Sequence, residues 1–298
     1  MKVTKLADGL GFPEGPFPLG DGRLIFVETY RSQVSVWSPD GKVSQFAYVG
    51  GGPNAAIMGS DGCCYVTQNG GVIGPWRAAD KRPPSLQRVT PEGKVEVIAT
   101  EVDGLTLRAP NDLVFGPDGR LYFTDPGGAF DPVNRPDPGR IFALNPDGTG
   151  ELILELEPTY PNGIVIEANG DLAWVETYTN RLYRRSRDGT VRKLCDLPSK
   201  GLPDGFKVAK DGNFYIAGLI SEGVIIISAD GSEAGFIKVG KTPTNCVFDG
   251  NMLYVTDGGH LGMTTEAPMV GMLWAVELDG VEGQPPFPGG IARGISAG

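Results

Sequence analysis

Short apolar runs of β-type residues alternate with glycine-containing turns along nearly the whole chain. Examples are residues 33–47, QVSVWSPDGKVSQFA, and residues 140–154, RIFALNPDGTGELIL, each with an Asp-Gly pair between two such runs. Asp-Gly at such a place is a strong hairpin signal, because glycine adopts positive φ at little cost. The pattern therefore predicts an all-β protein built from short hairpins.

A longer phrase recurs six times: a Pro (once a Thr), a polar residue, small and apolar residues, a glycine turn and an aromatic-rich strand. The second place of the phrase is held by Glu14, Asn54, Asn111, Asn162, Asp204 and Asn245. Neighbouring members lie 40–57 residues apart, which straddles the roughly 40–50-residue period of a four-stranded propeller blade. A second hairpin follows most copies of the phrase, so each unit supplies four strands.

These units predict a six-bladed β-propeller with four antiparallel strands per blade, forming a single domain over residues 1–298. The sixth unit has only three strands, because the chain turns irregular after residues 271–280. Residues 3–10, VTKLADGL, resemble the segment that precedes the third copy of the phrase. We expect them to complete the last blade, which closes the ring and removes exposed sheet edges.

The second-place residues are expected to meet in one ring, because the innermost strands of a propeller run parallel around its axis. Converging carboxylate and amide oxygens are electrostatically poor unless a cation lies among them. Ca²⁺ suits such a set best; Mg²⁺, Mn²⁺ and Zn²⁺ are alternatives, and the usual zinc site would contain His or Cys. Pro-Asn-Gly and Pro-Asp-Gly are also ordinary turns, but a turn role does not explain Glu14. The ring therefore predicts one divalent-metal site.

With these residues in view, essentially the whole chain resembles the regucalcin/gluconolactonase family, which includes senescence marker protein and luciferin-regenerating enzyme. The most specific matches are PEGP at 13–16, APNDLVFGPDGRLYFTDP at 109–126, YPNGI at 160–164 and LPDG at 202–205. The resemblance implies a six-bladed propeller of the calcium type and a lactone-hydrolysing activity.

The resemblance also assigns roles to individual residues. It implies that Glu14, Asn162 and Asp204 are the core metal ligands and that Asn111 is a fourth ligand or a substrate contact. Asn54 and Asn245 would line the tunnel or reach the metal through water. Arg108, three residues before Asn111, stands near the place of a substrate-binding arginine.

Such a site would support a metal-dependent hydrolase that opens a sugar lactone or another cyclic ester. The metal would polarise the carbonyl, and Asp204 would be the general base towards water or the nucleophile. Two alternatives stay open. The same metal could serve another electrophile, in a phosphotriesterase-like or lyase reaction, or the propeller could bind calcium without catalysis.

Other residues are candidates for the rim of the site. The long segment 69–84 carries Ile73, Trp76 and Arg77, which would form one wall and favour a partly apolar substrate. His260 could act as an acid or proton shuttle, although a lone histidine is more often only a surface residue. The second strands end in Glu28, Gln68, Asp125, Glu176 and Asp257. These could bind a polyol or, equally well, cap turns.

The net charge, the lengths of the apolar runs and the cysteine spacing disfavour several classes of function. The net charge of −10 disfavours nucleic acid, since phosphate binding needs a basic face. The start of the chain, residues 1–12, has no apolar run with the length of a signal-peptide core, and no stretch approaches the length of a membrane span. The four cysteines lack metal-type spacing. We therefore expect a cytoplasmic protein that binds a small-molecule substrate and has no membrane, nucleic-acid or obligatory protein partner.

Overall fold

Four consecutive strands pair antiparallel in each repeat of the sequence phrase, which produces six four-stranded sheets. The computed structural model describes residues 1–71, 78–198, 201–261 and 268–292. In these residues the helical content is one 3₁₀ turn, Thr29–Arg31, and no helix could span a membrane. The predicted six-bladed β-propeller is confirmed.

The strands are numbered in chain order, and each blade is given from its inner to its outer strand. The first blade contains β2 (Pro13–Pro18), β3 (Leu24–Glu28), β4 (Gln33–Trp37) and β5 (Val43–Tyr48), and the second contains β6 (Pro53–Met58), β7 (Cys64–Gln68), β8 (Ser85–Val89) and β9 (Val95–Ala99). A small hairpin, β10 (Glu101–Val102) and β11 (Leu105–Thr106), precedes the third blade, which contains β12 (Leu113–Phe115), β13 (Leu121–Asp125), β14 (Gly139–Leu144) and β15 (Gly150–Leu156).

The remaining three blades follow the same order. The fourth contains β16 (Pro161–Ile166), β17 (Leu172–Glu176), β18 (Arg181–Arg185) and β19 (Val191–Asp196), and the fifth contains β20 (Pro203–Val208), β21 (Phe214–Gly218), β22 (Gly223–Ile227) and β23 (Glu233–Lys238). The sixth contains β24 (Pro243–Asp249), β25 (Met252–Asp257), β26 (Gly271–Glu277) and β1 (Lys2–Leu10).

The ring closes through the N-terminal strand, as the sequence predicts. β1 pairs antiparallel with β26, from Lys2 opposite Glu277 to Leu10 opposite Gly271. Leu10 is buried in a cluster with Leu24, Phe26 and Leu273, so strands from the first and sixth blades share one core. The last blade therefore combines three C-terminal strands with one N-terminal strand.

The C-terminal segment crosses the end of the tunnel opposite the second-place residues. Gln284 donates from its backbone N–H to Val208 O at 3.0 Å and from its side chain to Ile166 O at 2.9 Å. Phe287 packs against the core between blades, and Ile291 N donates to Tyr65 Oη at 2.7 Å. This irregular segment covers one tunnel end, so the site is approached from the other.

Candidate active site

The inner strands depart from regular pairing at the second-place residues. In five blades the register between the inner and second strands shifts at or beside this residue, as between Pro53 and Ala55. In the third blade, regular pairing begins only at Leu113. Such irregularities turn a side chain away from the ladder. They aim the second-place side chains at the axis.

Threonine hydroxyls tie neighbouring inner strands together at the level of this ring. At five of the six junctions between blades, a described threonine donates to a backbone carbonyl of the next inner strand. The pairs are Thr29 with Pro53 O, Thr67 with Asn111 O, Thr124 with Asn162 O, Thr177 with Pro203 O, and Thr244 with Pro13 O. These bonds hold the second-place residues at one height along the axis.

Glycine follows the second-place residue in three blades because the inner strands approach closely there. A Cβ on Gly15 would overlap the backbone of Ala55, and one on Gly163 would press on Asp204 O. A Cβ on Gly205 would overlap the side-chain amide of Asn245. The glycine of the Pro-Glu-Gly, Pro-Asn-Gly and Pro-Asp-Gly phrases is therefore a packing requirement as well as a turn signal.

We expect Gly205→Ala to lower the free energy of unfolding by about 1–3 kcal/mol, because the added methyl group must displace the Asn245 amide. Gly290→Ala is the matched control, since its Cβ would lie 3.3 Å from Asp61 Cγ, at a flexible side chain. Denaturant unfolding followed by tryptophan fluorescence measures both. Equal stability of the two variants would contradict the packing argument.

Five second-place side chains form the floor of one cavity of about 280 Å³. All are buried, with exposed fractions below one tenth. They are Glu14, Asn54, Asn111, Asn162 and Asp204. The structure therefore brings together all four residues for which a metal role was predicted, together with Asn54.

The two carboxyl groups of the floor resist ionisation. Burial, followed by the nearby Asp112 carboxylate, raises the pKa of Glu14 to about 8, against hydrogen bonds from Asn245 Nδ2 at 3.0 Å and Gly15 N at 2.5 Å. Burial, and then the charges of Glu14 and Asp112, raise the pKa of Asp204 well above its ordinary value. Carboxylates concentrated in this way favour a bound proton or a bound cation.

Asp112 is a site residue that the sequence analysis missed. It is buried; its Oδ1 accepts from Leu113 N at 2.8 Å, and its Oδ2 lies 3.5 Å from Asn245 Nδ2 and 4.0 Å from Lys207 Nζ. One feature of the sequence could have identified it: the third place of the phrase is acidic only in this blade, whereas the other blades have Gly, Ala or Cys there.

The charges around the tunnel do not balance within the protein. When ionised, Glu14, Asp112 and Asp204 carry three negative charges, and Lys207 supplies one positive charge. The excess of two negative charges equals the charge of one divalent cation.

Two buried acceptor oxygens at the floor also match a cation. Asn111 Oδ1 and Asn162 Oδ1 have no hydrogen-bond partner. Asn162 Nδ2 donates to Thr177 Oγ1 at 3.1 Å, which holds the amide with its oxygen available. In the described ranges, no three His, Cys, Asp or Glu side chains are placed to hold an ion by themselves. The donor set depends on amide oxygens, which fits a hard cation such as Ca²⁺.

The other predicted site residues differ in their placement. Asn245 is buried but does not line the cavity, since its amide contacts Glu14. Arg108 does not line it either; its guanidinium pairs with Asp137. His260 is exposed at the rim, next to Leu261, which does line it. Trp76, like Ile73 and Arg77, lies outside the described residues.

The polar residues that end the second strands hold loops, which was one of their two predicted roles. Asp125 accepts from the backbone N–H groups of Arg108, Ala109 and Gly127 at 2.8–3.1 Å. Asp257 accepts from Lys241, Thr242 and Gly259 in the same way. Glu28, Gln68 and Glu176 also bond to nearby loop groups. They shape the rim by fixing the loops that lead into the inner strands.

Comparison with known proteins agrees with this architecture. The family model described as "SMP-30/Gluconolactonase/LRE-like region" matches residues 12–258. A gluconolactonase from Zymomonas mobilis is 27% identical over 292 residues, which cover 85% of this chain and 78% of that protein. Among solved structures, a luciferin-regenerating enzyme is similar with a TM-score of 0.78 and 20% identity, covering 97% of this chain and 99% of its own.

A second solved structure has the same fold. It is a calcium-binding protein, regucalcin, from Agrobacterium tumefaciens, with a TM-score of 0.75 and 19% identity, covering 96% of this chain and 95% of its own.

Proposed function

The chain belongs to the SMP-30/gluconolactonase/LRE-like family, and we propose that it is a lactonase that opens a cyclic ester with the help of one divalent cation. The observation that carries the proposal is the cavity floor, where two buried carboxyl groups meet two unpartnered asparagine oxygens. The relationship to a gluconolactonase supports the reaction class.

The residues that would hold the cation are Glu14, Asn111, Asn162 and Asp204, and Ca²⁺ is the first choice because every donor is oxygen. When bound, a divalent cation polarises the carbonyl of the ester and supplies positive charge near the oxygen on which negative charge develops. The excess negative charge around the tunnel and the open oxygens of Asn111 and Asn162 support this donor set.

Asp204 is the group proposed to handle the proton. It lies on the cavity floor beside the space for substrate, and its raised pKa marks a carboxylate that readily accepts a proton. As general base it would take the proton of the attacking water, and that proton would pass to the ring oxygen as the acyl C–O bond breaks. As nucleophile it would attack the carbonyl carbon and displace the ring oxygen, and water would then hydrolyse the resulting acyl-enzyme. Asn54, also on the floor, would hydrogen-bond the substrate, while the Asn245 amide donates a hydrogen bond to the Glu14 carboxyl group.

The test is lactone hydrolysis, followed by acid release in weakly buffered solution, before and after divalent ions are removed. We expect turnover that is lost on dialysis against a chelator and restored by a divalent cation, with Ca²⁺ compared against Mg²⁺, Mn²⁺ and Zn²⁺. Full activity after chelation would overturn the metal dependence. Failure to hydrolyse any lactone of a broad panel with Ca²⁺ present would overturn the lactonase assignment.

A further inference from the structure

Above the polar floor, the cavity is walled by apolar and aromatic side chains. These are Phe12, Tyr30, Phe130, Tyr160, Leu202 and Leu219, with Leu261 at the outer edge. They come from the first, third, fourth, fifth and sixth blades, so in the described part of the chain the apolar wall extends over five blades and is more than a single patch.

Three of these wall residues are held in an unfavourable backbone conformation. Phe12, Tyr160 and Leu202 have φ of 57°, 59° and 51°, in the left-handed region, and each directly precedes the proline of an inner strand. A residue with a side chain adopts this region only against steric repulsion between its Cβ and the backbone. Such strain concentrates at functional sites. These three residues precede the phrases of Glu14, Asn162 and Asp204, so the same blades supply floor and wall.

Aromatic contacts brace the wall on two sides. Phe12 stacks on Tyr30 with ring centroids 4.9 Å apart. Phe130 meets the Tyr160 ring edge-on at 5.2 Å and the Tyr178 ring at 5.3 Å. Rings packed against one another in this way form a preorganised surface, which lowers the cost of binding a flat or branched apolar group.

Two arginines near this entrance have their guanidinium groups paired with carboxylates. The Arg108 guanidinium pairs with Asp137. The Arg31 guanidinium pairs with Glu28 and donates to Gly9 O at 2.7 Å. In the described part of the chain, the charged side chains lining the cavity are Glu14 and Asp204, both on the floor.

We propose that the substrate is a lactone carrying an aryl or alkyl substituent rather than a polyol chain. The ester ring would face the polar floor and the substituent would occupy the apolar wall. This inference rests on the proposed lactonase function and adds the chemical class of the substrate. A wall made mostly of phenylalanine and leucine side chains and tyrosine rings stabilises apolar groups and offers few partners to the several hydroxyl groups of a sugar, so it discriminates against a sugar.

A matched pair of five-membered lactones tests the inference: γ-phenyl-γ-butyrolactone and D-galactono-γ-lactone, with Ca²⁺ present. We expect kcat/KM to be about 100-fold higher for the phenyl lactone. We expect Phe130→Ala to reduce the ratio of the two kcat/KM values about 10-fold, mainly through a higher KM for the phenyl lactone. Phe236→Ala, which removes an exposed phenylalanine from the outer strand of the fifth blade, is the control and should leave the ratio unchanged.

The outcomes separate this inference from the function on which it rests. If neither lactone nor any other cyclic ester is hydrolysed, the lactonase proposal fails. If the sugar lactone is preferred, or if Phe130→Ala and Phe236→Ala give the same ratio, the apolar substrate class is wrong while lactone hydrolysis stands. Thermal melts of both variants by circular dichroism show whether a change in the ratio reflects an altered fold.

Discussion

Asp204→Asn is expected to reduce lactone turnover by at least about 10³-fold while the propeller remains folded. Asparagine keeps the shape of the side chain and one oxygen for a cation, but it can neither accept a proton nor attack a carbonyl. The loss should therefore fall mainly on kcat. Steady-state kinetics with Ca²⁺ present, at saturating lactone, measure it.

The folded state should tolerate this change for an electrostatic reason. Asp204 is buried beside Glu14 and Asp112, and its carboxylate form is disfavoured there, so a neutral amide costs no charge burial. We expect the melting temperature without divalent ions to be no lower than that of the wild type. Asp211→Asn, in the exposed turn that follows β20, is the matched control and should keep full turnover. Retained turnover in Asp204→Asn would remove Asp204 from the reaction.

The fold was predictable because its determinants are local and repeated. Each blade carries its own Asp-Gly or Glu-Gly hairpin turn or a close variant, the spacing of the phrase matches the length of one blade, and its six copies indicate the number of blades. Closure by β1 was also predictable, because the sixth unit visibly lacked a strand and residues 3–10 resembled one. The repeat period and the turn residues specify each blade, and a propeller depends on them more than on any single long-range contact.

The residues of the cavity floor were predictable for the same reason, but the contacts that Asn245 and Asp112 make behind the floor were not. Equivalent positions of equivalent strands meet at the axis, so Glu14, Asn111, Asn162 and Asp204 could be grouped from their register alone. Asn245 occupies the same register but is turned onto Glu14. Asp112 stands one place after the second-place residue, outside the predicted ring, yet its charge raises the pKa of Glu14.

Side-chain partners from distant loops were beyond the reach of the sequence pattern. Arg108 is paired with Asp137, which is 29 residues further along the chain, in the loop between β13 and β14. Asp125, at a strand end, is occupied by backbone N–H groups of the loop that carries Arg108. A periodic pattern places residues on a rim, but it does not tell which of them are already paired there.

The second large effect is expected in the pH dependence of stability without divalent ions. Burial raises the pKa of Glu14 from 4.5 to about 8, so between these values the folded protein holds a proton that the unfolded chain has released. The contribution of Glu14 is fully present below 4.5 and is lost as the pH rises through about 8. Asp204 acts in the same direction. The metal-free protein should therefore become less stable between about pH 5 and pH 8.

A bound divalent cation should oppose this loss, because it replaces the proton among the carboxylates. At about 100 times its Kd, Ca²⁺ should add about 2.7 kcal/mol, or about 4 °C in Tm for a chain of 298 residues, at pH 8, and clearly less at pH 5. Thermal melts across this range, with and without Ca²⁺, measure both effects. Glu14→Gln is the informative variant: it should reduce the slope of the metal-free profile and weaken the Ca²⁺ effect together, since the Glu14 carboxyl group contributes to both. A Ca²⁺ stabilisation that is equal at both pH values, or that is undiminished in Glu14→Gln, would place the ion away from the cavity floor.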